Sequence, residues 1–260
     1  MSGIFETVFF TPIFNLLVFF HNYIPGNDLG VAIILVTIVV KLLLLPLSHK
    51  SIKSQKALQD LQPKINTLKK KYKNQKEKLA QEMMKLYSTQ KVNPLSSCLP
   101  LLIQLPFLFA IFRVFTKGLE PEAMELLYPF IENPGTLNNT FLGIVNLTEP
   151  FAIFGILAGA GQYIQTKMLM ASRVEKTDRS KPAKDEDMMA LVNKQMTYMM
   201  PVVTVVLGFT FPGGLMLYWL VTTILTVAQQ KILFKDKKKE TPDTQDKPQN
   251  PEKQENKLTA

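Results

Sequence analysis

Lys41 is the residue whose type and setting point most directly to chemistry. It is the one charge in an apolar run of 19 residues, 29–47, and lies seven positions before Ser48. If that run crosses a bilayer as a helix, rising 1.5 Å per residue, the ammonium sits roughly 10 Å below the nearer polar boundary. An unpaired ammonium in hydrocarbon is expensive, so it must snorkel along its own stem or face water. None of the chain's long internal apolar runs contains Asp, Glu or His, so they supply no counter-ion. Water at that depth requires a cavity between helices. Thr37, one turn before Lys41 on the same face, can line it, as can Gln104, and so can Gln162 and Gln165, which share a face at i,i+3. Thr222, Thr223 and Thr226 lie in the last run, although a Thr hydroxyl can also be satisfied on its own helix backbone.

The same composition argues against other chemistry. One Cys and two His are too few for a soft metal site, and one Cys cannot build a disulfide framework. There is no G-x-x-x-x-G-K loop. No nucleophile–base–acid set can be assembled from the apolar runs, and coupled transporters need carboxylates or His there. We therefore expect no catalytic residues, no metal and no cofactor. A net charge of +9 instead favours nucleic acid, ribosome or anionic lipid as partner.

Five runs must position Lys41: 29–47, 95–115, 150–170, 196–211 and 215–230. About 20 residues cross a hydrocarbon core, so the first three suffice and the last two, 16 residues each, need their flanks or a thinner bilayer. Pro212-Gly213-Gly214 makes a tight reversal between those two, so 212–233 reads as a turn and a fifth span. Lys and Arg set the orientation. Twelve lie in 48–94, six in 171–195 and eight in 231–260, against Lys117 alone in the external loop 116–149. The N-terminus is thus expected outside and the C-terminus in the cytoplasm. Residues 4–24 are apolar but interrupted by Glu6, Asn15, His21 and Asn22. We read this stretch, within an external segment 1–28, as a helix lying on the outer interface with a narrow polar stripe.

The basic segment 48–94 repeats Leu58, Leu61, Ile65, Leu68 and Tyr72, then Leu79, Met83 and Leu86, at spacings of three and four. That pattern predicts a cytoplasmic helical hairpin, bent at Pro63. Its lysines, among them Lys64, Lys69, Lys70, Lys71 and Lys73, are either a solvated face or a docking arm for ribosome, secretion machinery or anionic headgroups. Nothing in it resembles a base-reading motif, so DNA is not expected. The tail 234–260 is basic, carries three Pro and is nearly free of apolar residues, the composition of a disordered segment.

Thr37-Ile38-Val39-Val40-Lys41 with Leu45-Pro46-Leu47, Lys91-Val92-Asn93-Pro94-Leu95 running to Gln104-Leu105-Pro106, and Phe211-Pro212-Gly213-Gly214-Leu215 through Tyr218-Trp219 closely resemble the YidC-type membrane protein insertases, relatives of the mitochondrial Oxa and chloroplast Albino proteins. Leu61-Gln62-Pro63-Lys64-Ile65 and Gln81-Glu82-Met83-Met84-Lys85-Leu86-Tyr87 resemble that family's cytoplasmic hairpin. The resemblance covers roughly 5–234. It implies an all-α membrane protein with a five-helix core around a hydrophilic groove. The implied activity is insertion and folding of newly made membrane proteins in the bacterial plasma membrane, alone or with the Sec translocon, with ribosome and anionic lipids as further partners. In that reading Lys41 attracts an acidic substrate segment, and Thr37, Gln104, Gln162, Gln165, Tyr218 and Trp219 offer contacts.

Two departures stand out. Bacterial members usually have Arg where this chain has Lys41, which keeps charge and loses bidentate carboxylate pairing. Neither the extra N-terminal span and large external domain of Gram-negative members nor a lipoprotein signal is found in the sequence. Two other functions fit the same residues: an anion channel or transporter with Lys41 as its selectivity charge, and a non-catalytic assembly factor whose hairpin docks partners.

Overall fold

A computed structural model describes residues 2–73, 75–93, 99–171 and 195–239, and these residues are mostly helical. The loop 172–194, the start of the second apolar run at 95–98 and the tail beyond 239 lie outside the described residues. In order, the helices are α1 (Gly3–Tyr23), α2 (Leu29–Leu43), α3 (Leu45–Asp60), α4 (Gln62–Lys71), α5 (Lys76–Thr89), α6 (Leu99–Arg113), α7 (Ala152–Ala171), α8 (Met200–Leu207) and α9 (Gly213–Lys239). Short strands β1 (Thr140–Phe141) and β2 (Val145–Asn146) pair antiparallel between α6 and α7.

Asp28 starts α2: its side chain accepts the Val31 amide at 2.8 Å and so satisfies a free N–H of the first turn. The helix ends at Leu43, earlier than the apolar run that continues to Leu47. Pro46 explains the stop, because it has no N–H to give and its ring crowds the preceding turn. The following helix leaves at 67°. Leu42, Leu43, Leu45 and Leu47 around the bend are exposed.

The core joins α1, α2, α6 and α9, with Phe14, Leu17, Leu29, Ile33, Ile111 and Met216 almost fully buried. On its flank α7 meets α8 and α9. Gly155 of α7 touches Gly208, and Gly159 touches Pro201, so closely that a methyl group would stand 2.6 Å from the Gly208 Cα and 2.8 Å from the Pro201 carbonyl oxygen. This Gly-x-x-x-Gly spacing lets the two backbones approach without side chains between them.

A smaller cluster holds α4 to α5. Leu61, Ile65 and Tyr87 are buried there, with Leu58, Met83, Leu86 and Val92 packed against them. Pro63 stands at the start of α4, where its missing N–H leaves no helix bond unmade, and the chain bends just before it. At the other end, α9 runs on to Lys239, five residues past the expected start of a disordered tail at 234.

By length and apolarity alone, Gly3–Tyr23 is the one described helix that qualifies to cross a membrane unaided, and the bent pair Leu29–Leu43 with Leu45–Lys71 qualifies jointly. Yet α1 turns polar residues toward protein, among them Asn15 and Asn22, which the sequence pattern had set with Thr11 on a stripe facing away from the apolar side. Asn15 is 1% exposed, donates to the Leu126 carbonyl at 2.9 Å and accepts the Tyr128 amide at 2.6 Å. Nε2 of His21 accepts the Asn138 amide at 3.1 Å, and Asn22 donates to the Glu132 carbonyl at 2.7 Å. Glu6 pairs with Arg113 at 3.2 Å. These polar groups fasten α1 to the segment 119–138 and to the end of α6.

Candidate functional site

The helix α9 carries Tyr218, Thr222 and Thr226 at intervals of four, which places them on one face. That face receives polar groups from two neighbouring helices. From α2, the Lys41 ammonium donates to Oγ1 of Thr226 at 2.8 Å. From α6, Nε2 of Gln104 donates to the Tyr218 hydroxyl. Thr226 in turn donates to the Thr222 carbonyl at 2.7 Å, so its proton is committed and its lone pair faces the ammonium.

Among the described residues, Lys41 has this hydroxyl as its partner and no carboxylate. Its position offers a partial substitute for a counter-ion. Because α2 stops at Leu43, Lys41 falls in the helix's last turn, where the exposed carbonyl ends carry partial negative charge. Lys41 therefore belongs to a helix end, rather than to the interior of a helix reaching Leu47. An ammonium has three protons, so the one bond to Thr226 leaves capacity for an incoming acceptor.

The remaining candidates separate. Thr37 is 1% exposed and donates to the Ile33 carbonyl at 2.6 Å, so its proton serves its own helix. Gln162 accepts from Thr204 at 2.7 Å and so links α7 to α8. Gln165 is half-buried one turn further along α7. Tyr218 is itself 2% exposed in the main core, and Trp219 is partly buried against the same core. Thr204 was not among the sequence candidates. It is an isolated hydroxyl in the valine-rich stretch of α8, and its exchange with Gln162 depends on the helix–helix contact. Of the basic residues, Lys64, Lys70, Lys71 and Lys73 are exposed at α4 and just after it, whereas Lys69 is half-buried. No group of three or more His, Cys, Asp or Glu suited to a metal occurs among the described residues.

The mostly helical fold, with exposed apolar surface along its helices and Lys41 held against a polar helix face without a carboxylate partner among the described residues, is that of an all-α membrane protein. Residues 19–241 match the family model described as 60Kd inner membrane protein, and the chain belongs to that family. Among curated relatives, the Geobacter sulfurreducens membrane protein insertase YidC is 38% identical over 221 residues, 84% of this chain and 36% of its own length. The YidC of Nitratidesulfovibrio vulgaris strain Miyazaki F is 36% identical over 219 residues, again 36% of its length. The Fusobacterium nucleatum YidC is 35% identical over 209 residues, covering 80% of this chain and 87% of the relative. The chain thus spans about a third of the length of the first two relatives and most of the third.

Proposed function

We propose that the chain is a membrane protein insertase and chaperone that works by non-covalent guidance. The observation that carries this reading is the Lys41 ammonium, held on Thr226 with no carboxylate partner among the described residues. Such a charge attracts an acidic segment of a substrate chain. Gln104, half-buried beside the α9 face, then supplies a polar contact while the substrate's apolar helix moves into lipid. Its burial, at about 25 cal/mol per Å² of apolar surface, drives the step.

In this reading the runs containing α2, α6, α7, α8 and α9 are five spans enclosing a hydrophilic groove open to the cytoplasm. The basic segments keep the inner side, with the N-terminus outside. The helix α1 then lies on the outer interface. Its contacts support this: Glu6 near one end meets Arg113 in the last turns of the helix that continues α6 to Gly118, and His21 near the other meets Asn138 close to where α2 begins. A helix crossing the membrane would have its ends on opposite faces. The exposed lysines 64, 70, 71 and 73 dock ribosome, Sec translocon or anionic headgroups. No cofactor is required.

The test is insertion of a small single-span protein with an acidic outer tail into vesicles containing this protein alone, scored by protease protection of the tail. Wild type and Lys41→Arg should insert, Lys41→Ala less, and Lys41→Glu should fall to the level of empty vesicles. Anion flux without insertion would overturn the reading in favour of a channel.

A further inference from the structure

The tip between β1 and β2 carries the most exposed large apolar side chain among the described residues, Ile144 at 84%, beside Leu142 at 64%. The turn closes through the Ile144 amide on the Phe141 carbonyl at 3.1 Å, with φ of 53° at Leu142 and 67° at Gly143. Turns with two successive positive φ values take Asn, Asp or Gly at the first position. Leucine is disfavoured there by contact between its Cβ and the backbone. An apolar side chain is therefore presented at this point against the preference of the turn, and it is presented to the outside.

The height of the tip is fixed by contacts with the ends of three helices. The Leu142 amide donates to Asp28, whose other carboxylate oxygen caps α2. The Phe141 ring lies on Gly30, where an added Cβ would stand 2.2 Å from it, and meets Phe154 of α7 edge-on at 6.0 Å. Just after β2, the carbonyls of Leu147 and Glu149 accept the amides of Gly214 and Gly213, at 3.0 and 2.8 Å, where α9 begins. The tip is thus level with the first turns of α2, α7 and α9. On α7, exposed apolar side chains begin at the same level with Ile153 and continue through Ile156 and Leu157. From Thr140 to Thr148 the chain carries no charge.

We propose that Leu142 and Ile144 are seated in the headgroup–acyl boundary of the outer leaflet, making the β1–β2 tip a lipid anchor that holds the external segment at membrane level. This inference rests on the placement of α2, α7 and α9 as spans with their starts outside. The occupant is a phospholipid surface. A charged partner is not needed, because the tip offers apolar side chains only.

The experiment uses the full chain in phosphatidylcholine vesicles. Cys98, the only cysteine, is replaced by Ser, and single cysteines at Ile144, Thr136 and Ile156 are labelled with an environment-sensitive fluorophore. Quenching is read with lipids carrying a nitroxide high or low on the acyl chain, and with aqueous iodide. Position 144 should show blue-shifted emission, quenching by the shallow nitroxide, and loss of iodide quenching relative to position 136. Position 156 should respond to the deeper nitroxide. Aqueous emission and full iodide quenching at 144, with 156 still in lipid, would overturn the anchor alone and leave the tip free for a protein partner. An aqueous label at 156 would instead overturn the span placement beneath it.

Discussion

Replacing Asn15 with Leu should release the segment after α6 from α1 while leaving the helices in place. Asn15 is 1% exposed and makes both a donor and an acceptor bond to that segment, to the Leu126 carbonyl at 2.9 Å and from the Tyr128 amide at 2.6 Å. Leucine is close in size and can form neither bond. Two backbone groups then lose their partners in a part-buried site, each worth about 1 to 2 kcal/mol at the low end of the range for unsatisfied groups. The sum, about 2 to 4 kcal/mol, corresponds to roughly 30- to 700-fold more frequent local opening at 1.4 kcal/mol per factor of ten. Amide exchange reads this directly, because the Tyr128 N–H is itself one of the two groups. Peptides covering 121–131 should exchange faster by that factor, while those covering α2 and α9 stay unchanged. Unaltered exchange at Tyr128 in Asn15→Leu would show that the segment is held by its apolar contacts and that the buried amide is incidental.

Two further outcomes follow from packing and burial. Gly155→Ala places a methyl group 2.6 Å from the Gly208 Cα, so α7 and α8 must separate. Thermal unfolding in detergent should report a loss of about 1 to 3 kcal/mol, whereas Gly3→Ala, which meets nothing within 4 Å, should be neutral. Burial pushes the Tyr87 phenol above its ordinary value in the cluster between α4 and α5. Above about pH 10 the unfolded chain releases this proton more readily than the folded one, so stability falls as pH rises through that range and is fully present below it. Circular dichroism against pH should show the loss, and Tyr87→Phe should remove that part of it.

Much of the candidate site is legible in the sequence because it depends on rare residue types. A lone Lys41 in an apolar run, and Gln104 in another, stand out whatever the geometry. What pairs them is less visible. The α9 face at 218, 222 and 226 becomes a site only when α2 and α6 are packed against it, and no local signal gives that packing. Thr37 has the right spacing, but its hydroxyl bonds its own backbone, which spacing alone does not reveal.

The fold divides in the same way. Hydropathy finds the apolar runs but cannot distinguish a helix facing lipid from one facing protein. Hence Asn15 and Asn22 in α1 resemble a solvent stripe, whereas they hold the neighbouring segment. Pro46 carries the information that α2 stops early, although the unbroken leucines mask it. Gly155 and Gly159 likewise announce a close helix contact by their spacing, independent of hydropathy. The β1–β2 turn has a leucine where turn chemistry calls for Asn or Gly, so composition hides it.

The claim that Lys41 acts through its charge is tested most directly by reversing charge on both sides. Substrates with an acidic or a basic outer tail would be offered to vesicles containing wild type or Lys41→Glu. Wild type should insert the acidic tail and Lys41→Glu should fail, while Lys41→Glu should recover insertion of the basic tail that wild type handles poorly. Equal insertion of the acidic tail by both proteins would contradict the claim.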